Sequence, residues 1–124
     1  MTDLFTRWFT DYKRVKEISD ALEAALESRI NLSLNAYYVL QFLAKAEEHK
    51  LRLNTLQDLV GLSQSAMSRM ILRMEGENCG CIERRSCDCD KRGVYIGITA
   101  HGLEKLDSAT PIVEEVLHSF YSIK

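Results

Sequence analysis

The apolar residues change period twice, after Gly76 and again at Thr99, and those changes limit the folds open to this chain. On either side they recur every three or four positions, as on helices; between them they alternate, as on strands. From Phe5 to Ile30 the apolar stripe runs through Phe5, Trp8, Phe9, Tyr12, Val15, Leu22, Leu26 and Ile30, and one helix at ~1.5 Å rise per residue would be about 40 Å long. Its leading aromatics stay in water unless something covers them, and a partner chain is the simplest cover. Ser33 is a good N-cap for a second helix carrying Leu34, Tyr37, Tyr38, Leu40, Phe42, Leu43 and Ala44 before the polar run 45–50. Being apolar on several sides, that helix should be central.

Asn54 and Thr55 precede a short apolar pattern, Leu56, Leu59 and Val60, with Thr55 and Asp58 spaced as a capping box and Gly61 placed to stop the helix in a left-handed turn. This predicts under two turns of helix. Ser63 then caps a longer helix in which Met67, Met70, Ile71 and Met74 form the inward stripe and Gln64, Ser65, Ser68, Arg69 and Arg73 the outward face. After Gly76 the pattern has period two: Ile82, Arg84 and Ser86 point one way, and Cys81, Glu83, Arg85 and Cys87 the other. A turn over 88–93 and a return strand with Val94, Ile96 and Ile98 on its apolar face complete a β-hairpin. Thr99 caps a final helix bearing Leu103, Leu106, Val113, Val116, Leu117 and Phe120, which Pro111 should kink or break.

At 124 residues with one proline, the chain is sized for one domain, read as 1–124. Its apolar runs fall far short of the roughly 18 residues that a membrane span requires, and the residues after Met1 lack the charge and apolar block of an export signal. A cytoplasmic protein with no membrane contact is the expectation. The net charge of −2 argues against indiscriminate coating of polyanions, so any such contact must come from a local patch.

A short helix, a glycine turn and a longer helix with small polar residues and arginines outside form the pattern of a helix-turn-helix. Short Ser63, Gln64, Ser65 and Ser68 let the second helix enter a major groove and bond phosphates or base edges, with Arg69 able to reach a guanine. The hairpin that follows carries Arg84 and Arg85 on its stem and Lys91 and Arg92 toward its tip, four basic residues against two acidic between 84 and 92. An arginine there can enter a narrow minor groove. The expected fold class is therefore mostly α with a small β-hairpin wing, a winged helix-turn-helix.

The run from Leu56 to Glu75, followed by Cys81-Ile-Glu-Arg-Arg, Asp90-Lys-Arg-Gly and Ile98-Thr-Ala-His-Gly102, resembles the MarR family of bacterial transcriptional regulators. Its most specific part is Asp90-x-Arg92 followed by the Ile-Thr-x-x-Gly signature. The resemblance implies a homodimer held by terminal helices in 1–32 and 99–124, with a DNA-binding half in 53–98. Gln64, Ser65, Ser68, Arg69 and Arg73 would lie in the major groove of a pseudo-palindromic double-stranded operator and Arg92 in the minor groove. Gln57 stands where the family commonly has alanine, and the chain's length is nearer that of SarA-type regulators. The expected role is transcriptional regulation, as a repressor. A small aromatic effector in a crevice near Trp8, Tyr12, Tyr37 and Tyr38 is a further implication.

Cys79, Cys81, Cys87 and Cys89 leave alternatives open. If 81–87 is extended at ~3.3 Å per residue the two pairs lie roughly 20 Å apart, which argues against one four-thiolate zinc site. Inert thiols, a pairwise or intersubunit site, or a thiol switch remain, the last aided by Arg85, Lys91 and Arg92, whose charge would lower a thiol pKa. No metal or cofactor is expected, and His49, His101 and His118 lie apart without ligand-like spacing. With no nucleophile–base arrangement or phosphate loop, the chain is not read as an enzyme. The competing reading is a thiol- or metal-responsive winged-helix interaction module that does not read DNA.

Overall fold

The structure, a computed structural model, describes residues 3–76, 79–87 and 90–121, with backbone alone at 86–87 and 90–92. Its elements run α1 (Asp3–Ile30), α2 (Leu34–Lys45), β1 (Lys50–Arg52), α3 (Leu53–Val60), α4 (Gln64–Glu75), β2 (Ile82–Cys87), β3 (Asp90–Ile98) and α5 (Ala100–Phe120). The chain divides into two compact units, one of residues up to Leu34 and from Ala109 onward, the other Asn35–Ser108. Among the described residues no helix is long and apolar enough to cross a membrane.

In the first unit, the 28 residues of α1 make a rod about 42 Å long. Its second half supplies the buried residues Ile18, Leu22 and Leu26. Asn31, left-handed at φ 54°, ends the helix by donating its N–H to the Glu27 carbonyl at 3.1 Å. The Leu34 N–H, which begins α2, is capped by the Glu23 carboxylate at 2.9 Å. Arg29 pairs with Glu115 at 2.9 Å, and Arg14 donates to the Phe120 carbonyl at 3.0 Å. Pro111 does not end α5, which continues to Phe120. Pro111 and Asp107 are both exposed, so solvent can take up the Asp107 carbonyl that a proline leaves without its helical donor.

The second unit is built around deeply buried α2, whose Val39, Leu40 and Leu43 are fully covered. Beyond α2 a single 3-10 turn with Glu48 and His49 left-handed delivers the chain into β1. That strand has no counterpart in the sequence reading, because three residues are too few to display an alternation. It joins the hairpin in a sheet of order β1-β3-β2, antiparallel throughout, with Leu51 opposite Ile96. Since β1 runs straight into α3, the helix starts at Leu53, with Arg52 as an N-cap whose side chain does not cap the helix. The expected Thr55–Asp58 box is therefore misplaced, and α3 has 8 residues, slightly over two turns.

The hairpin turn is also narrower than expected, since β3 already begins at Asp90 and pairs it with Cys87 after an irregularity beyond Arg85. Ile82, Ile96 and Ile98 are buried, but Val94, expected on the same apolar face, is 43% exposed. Toward the tip beyond Ile96 no described hairpin side chain is buried, so the core has ended before Val94 is reached.

Candidate nucleic-acid interface

Gly61 ends α3 at φ 82°, a left-handed conformation that costs a residue with a Cβ roughly 1–2 kcal/mol. Its N–H returns to the Gln57 carbonyl at 2.9 Å, and two residues later Ser63 Oγ accepts the Ala66 N–H at 3.2 Å, opening α4. Met67, Met70, Ile71 and Met74 are buried to within a few percent, which fixes the rotation of α4. The opposite face presents Gln64, Ser65, Ser68, Arg69, Leu72 and Arg73, all exposed. Leu72, 62% exposed, had no place in the sequence reading, although it lies four positions after Ser68 and three after Arg69. Neither Arg69 nor Arg73 has an acidic partner among the described residues.

The hairpin arginines behave differently. Arg84, on the core side of β2, directs Nε at both carboxylate oxygens of Glu75 at 3.1 and 3.2 Å, joining the wing to the last turn of α4. Arg85, on the other side, pairs with Glu83 at 3.0 Å, donates to the Ile98 carbonyl at 3.1 Å and lies across Gly97. On the same sheet face the Lys50 and Arg52 cations stand 5.4 and 5.8 Å from the Tyr95 ring centre. Lys91 and Arg92 belong to β3, and their side chains lie outside the described residues.

Thr99 joins the hairpin to α5. Its Oγ1 donates to the Gly80 carbonyl at 2.6 Å and accepts the Gly102 N–H at 3.0 Å. Gly102 is buried with the Cys81 carbonyl directly against it, in space a Cβ would need. Trp8 and Tyr12 are exposed on α1, Tyr37 is buried on α2, where its hydroxyl accepts from Gln41 at 2.7 Å, and Tyr38 is half-buried.

Of the four cysteines, Cys79 and Cys81 are free thiols with Sγ atoms 2.7 Å apart. Cys81 has no exposed surface. Burial, reinforced by the adjoining Cys79, pushes its thiol up to about 12, against a weaker opposite pull from Lys105. This reverses, for Cys81, the expected lowering by wing cations, because desolvation outweighs charges at a distance. The Cys87 side chain and Cys89 lie outside the described residues, and among those described no group of three or more His, Cys, Asp or Glu is placed to hold a metal.

No protein-family model matches the chain, and no curated protein sequence matches it. Solved structures do. AbsC, a MarR family transcriptional regulator from Streptomyces coelicolor, is 28% identical over 98% of this chain and 80% of its own, with a TM-score of 0.87. Sco3205, a MarR family regulator from the same organism solved in complex with DNA, is 24% identical over 97% of this chain and 75% of its own, at 0.86. NadR in complex with 4-hydroxyphenylacetate is 16% identical over 90% and 75%, at 0.76. The fold is the winged helix of MarR family regulators, mostly helical with a small antiparallel sheet.

Proposed function

We propose that the protein is a sequence-specific double-stranded DNA-binding regulator of transcription, acting as a homodimeric repressor. The observation that carries this reading is the outer face of α4: an exposed stripe of Gln64, Ser65, Ser68, Arg69, Leu72 and Arg73, backed by a buried one. Likeness to AbsC along nearly the whole chain supports it. Ser63, Gln64 and Ser65 at the start of α4 would fix the helix on phosphates, while Ser68 and Arg69 read base edges and Leu72 offers an apolar surface to a thymine methyl. Arg73 and the wing residues Lys91 and Arg92 supply the remaining charge toward the backbone and the minor groove. Arg84 and Arg85 act mainly by holding the wing in place.

A second copy is needed because Leu4, Phe5, Trp8, Phe9, Tyr12 and Val15 stand 45 to 77% exposed along the first half of α1. So continuous an apolar strip on a water-soluble surface marks an association site. Two recognition helices would then sit on half-sites about 34 Å apart, one turn of a pseudo-palindrome. A small aromatic acid is the effector class this reading admits, on the precedent of NadR. Its binding would release DNA by changing half-site spacing.

The test is to select duplexes from random-sequence DNA with the protein and titrate the selected and a scrambled duplex at several salt concentrations. Arg69→Ala is expected to cost about 1–3 kcal/mol on the selected duplex and little on the scrambled one, whereas Arg92→Ala weakens both and reduces the salt slope by about 1. Equal losses on both duplexes for the two variants would overturn the assignment of base reading to α4. Failure to select any duplex would favour the non-DNA interaction module.

A further inference from the structure

We infer that Cys79 and Cys81 form a peroxide-responsive dithiol switch at the root of the wing, closing to an intrachain disulfide that lowers DNA affinity. The chemical half stands on the geometry of the pair; the regulatory half rests on the DNA-binding reading above.

The two sulfurs lie 2.7 Å apart, well inside ordinary contact, and a disulfide needs about 2.05 Å. The backbone that carries them is pinned on every side. Cys79 and Gly80 both donate N–H to the Gly76 carbonyl at 2.9 and 2.8 Å, and Cys81 donates to the Met74 carbonyl at 3.0 Å. The Cys81 carbonyl accepts the Thr99 N–H at 3.0 Å. This short segment is thus tied to the end of α4 and the start of α5, and it leads directly into β2.

The pair is also asymmetric in the way a two-step oxidation requires. Cys79 is partly exposed and Cys81 has no accessible surface. Cys79, as thiolate, attacks the outer oxygen of a hydroperoxide; the O–O bond breaks, water or an alcohol leaves, and Cys79 becomes a sulfenic acid. Cys81 then attacks that sulfur. The S–O bond breaks, the S–S bond forms, and the Cys81 proton departs with the hydroxyl as water. The two sulfurs lose two electrons, which reduce the peroxide. Because Gly102 lies directly against the Cys81 carbonyl, that side has no slack, and the shift that accompanies bonding is taken up at the end of α4 and the start of the wing.

The experiment uses the full chain with Cys87→Ser and Cys89→Ser, reduced and then treated with stoichiometric hydrogen peroxide. Expected is a monomer-length chain lighter by two hydrogen atoms, whose tryptic peptide from Met74 to Arg84 takes up no iodoacetamide. Adding Cys81→Ser should stop the reaction at a sulfenic acid on Cys79 that dimedone traps; adding Cys79→Ser should leave Cys81 reduced. Affinity for a fluorescent duplex selected from random-sequence DNA by the reduced protein should fall about tenfold on oxidation. Dithiothreitol should restore it, and Cys79→Ser should not respond. An absent or interchain disulfide overturns the chemistry, and a disulfide with unchanged affinity overturns the regulation. If the reduced protein selects no duplex while the peptide still closes, the dithiol chemistry stands, and the DNA reading falls together with its regulation.

Discussion

Gly102 and Thr99 give physical content to the Ile-Thr-x-x-Gly signature. A hydroxyl is needed at Thr99 because it both caps α5 and reaches the Gly80 carbonyl. Glycine is needed because the Cys81 carbonyl occupies the space of its Cβ. Replacing a helical glycine by alanine ordinarily gains up to ~1 kcal/mol, but here the obstructing atom is backbone and cannot rotate away. Overpacking of this kind costs about 1–3 kcal/mol, so Gly102→Ala should lower stability, read as a reduced urea midpoint with an unchanged slope. An unchanged or raised midpoint would show that the junction yields. The signature was visible in the sequence, yet its cause was not, since the carbonyl belongs to a residue twenty-one positions earlier. The Cys81 thiol was hidden for the same reason: its surroundings are set by tertiary burial, whereas the sequence displays only nearby charges.

Among elements, a bifurcated side-chain bond ties the wing to the recognition helix, Arg84 Nε on both carboxylate oxygens of Glu75, with Glu75 only 23% exposed and Arg84 46%. Partly exposed pairs contribute about 0.5–1 kcal/mol to stability, so its effect is on wing placement more than on folding. Glu75→Gln and Arg84→Ala should therefore weaken DNA binding alike, by about threefold, with the salt slope unchanged for both. If Arg84 instead met a phosphate directly, its loss alone would reduce the slope by about 1, and Glu75→Gln would leave affinity intact. Long elements with a sustained period were legible: α1, the inner stripe of α4, the Gly61 turn and the paired strands all follow from spacing. Short or context-dependent ones were not. The three residues of β1 display no period, the start of α3 is set by the strand feeding into it, and the exposure of Val94 depends on where the core happens to end. Leu72 escaped because its neighbours on that face are polar, although helical arithmetic alone places it between Ser68 and Arg69.

At the scale of the molecule, α1 carries an apolar strip for which its own unit has no use, since the buried residues of that helix begin only at Ile18. Phe5, Trp8, Phe9 and Tyr12 stack along it with ring centres 5.7 to 6.1 Å apart, a preformed surface that loses little side-chain freedom on association. Trp8→Asp combined with Phe9→Asp should convert a dimer to a folded monomer by light scattering and remove the concentration dependence of its melting temperature. A wild-type chain that is monomeric at micromolar concentration would contradict the dimer. The pairing of charges has a different consequence. Arg84 and Arg85 are held by carboxylates, Lys50 and Arg52 stand over an aromatic ring, and the whole chain is net negative at −2. The attraction available to a duplex then comes from Arg69, Arg73, Lys91 and Arg92 alone on this reading, and their field fades within a screening length of about 8 Å at physiological salt. Encounter would be governed by ordinary diffusion with no long-range steering, and discrimination would arise mainly in how slowly the correct complex comes apart.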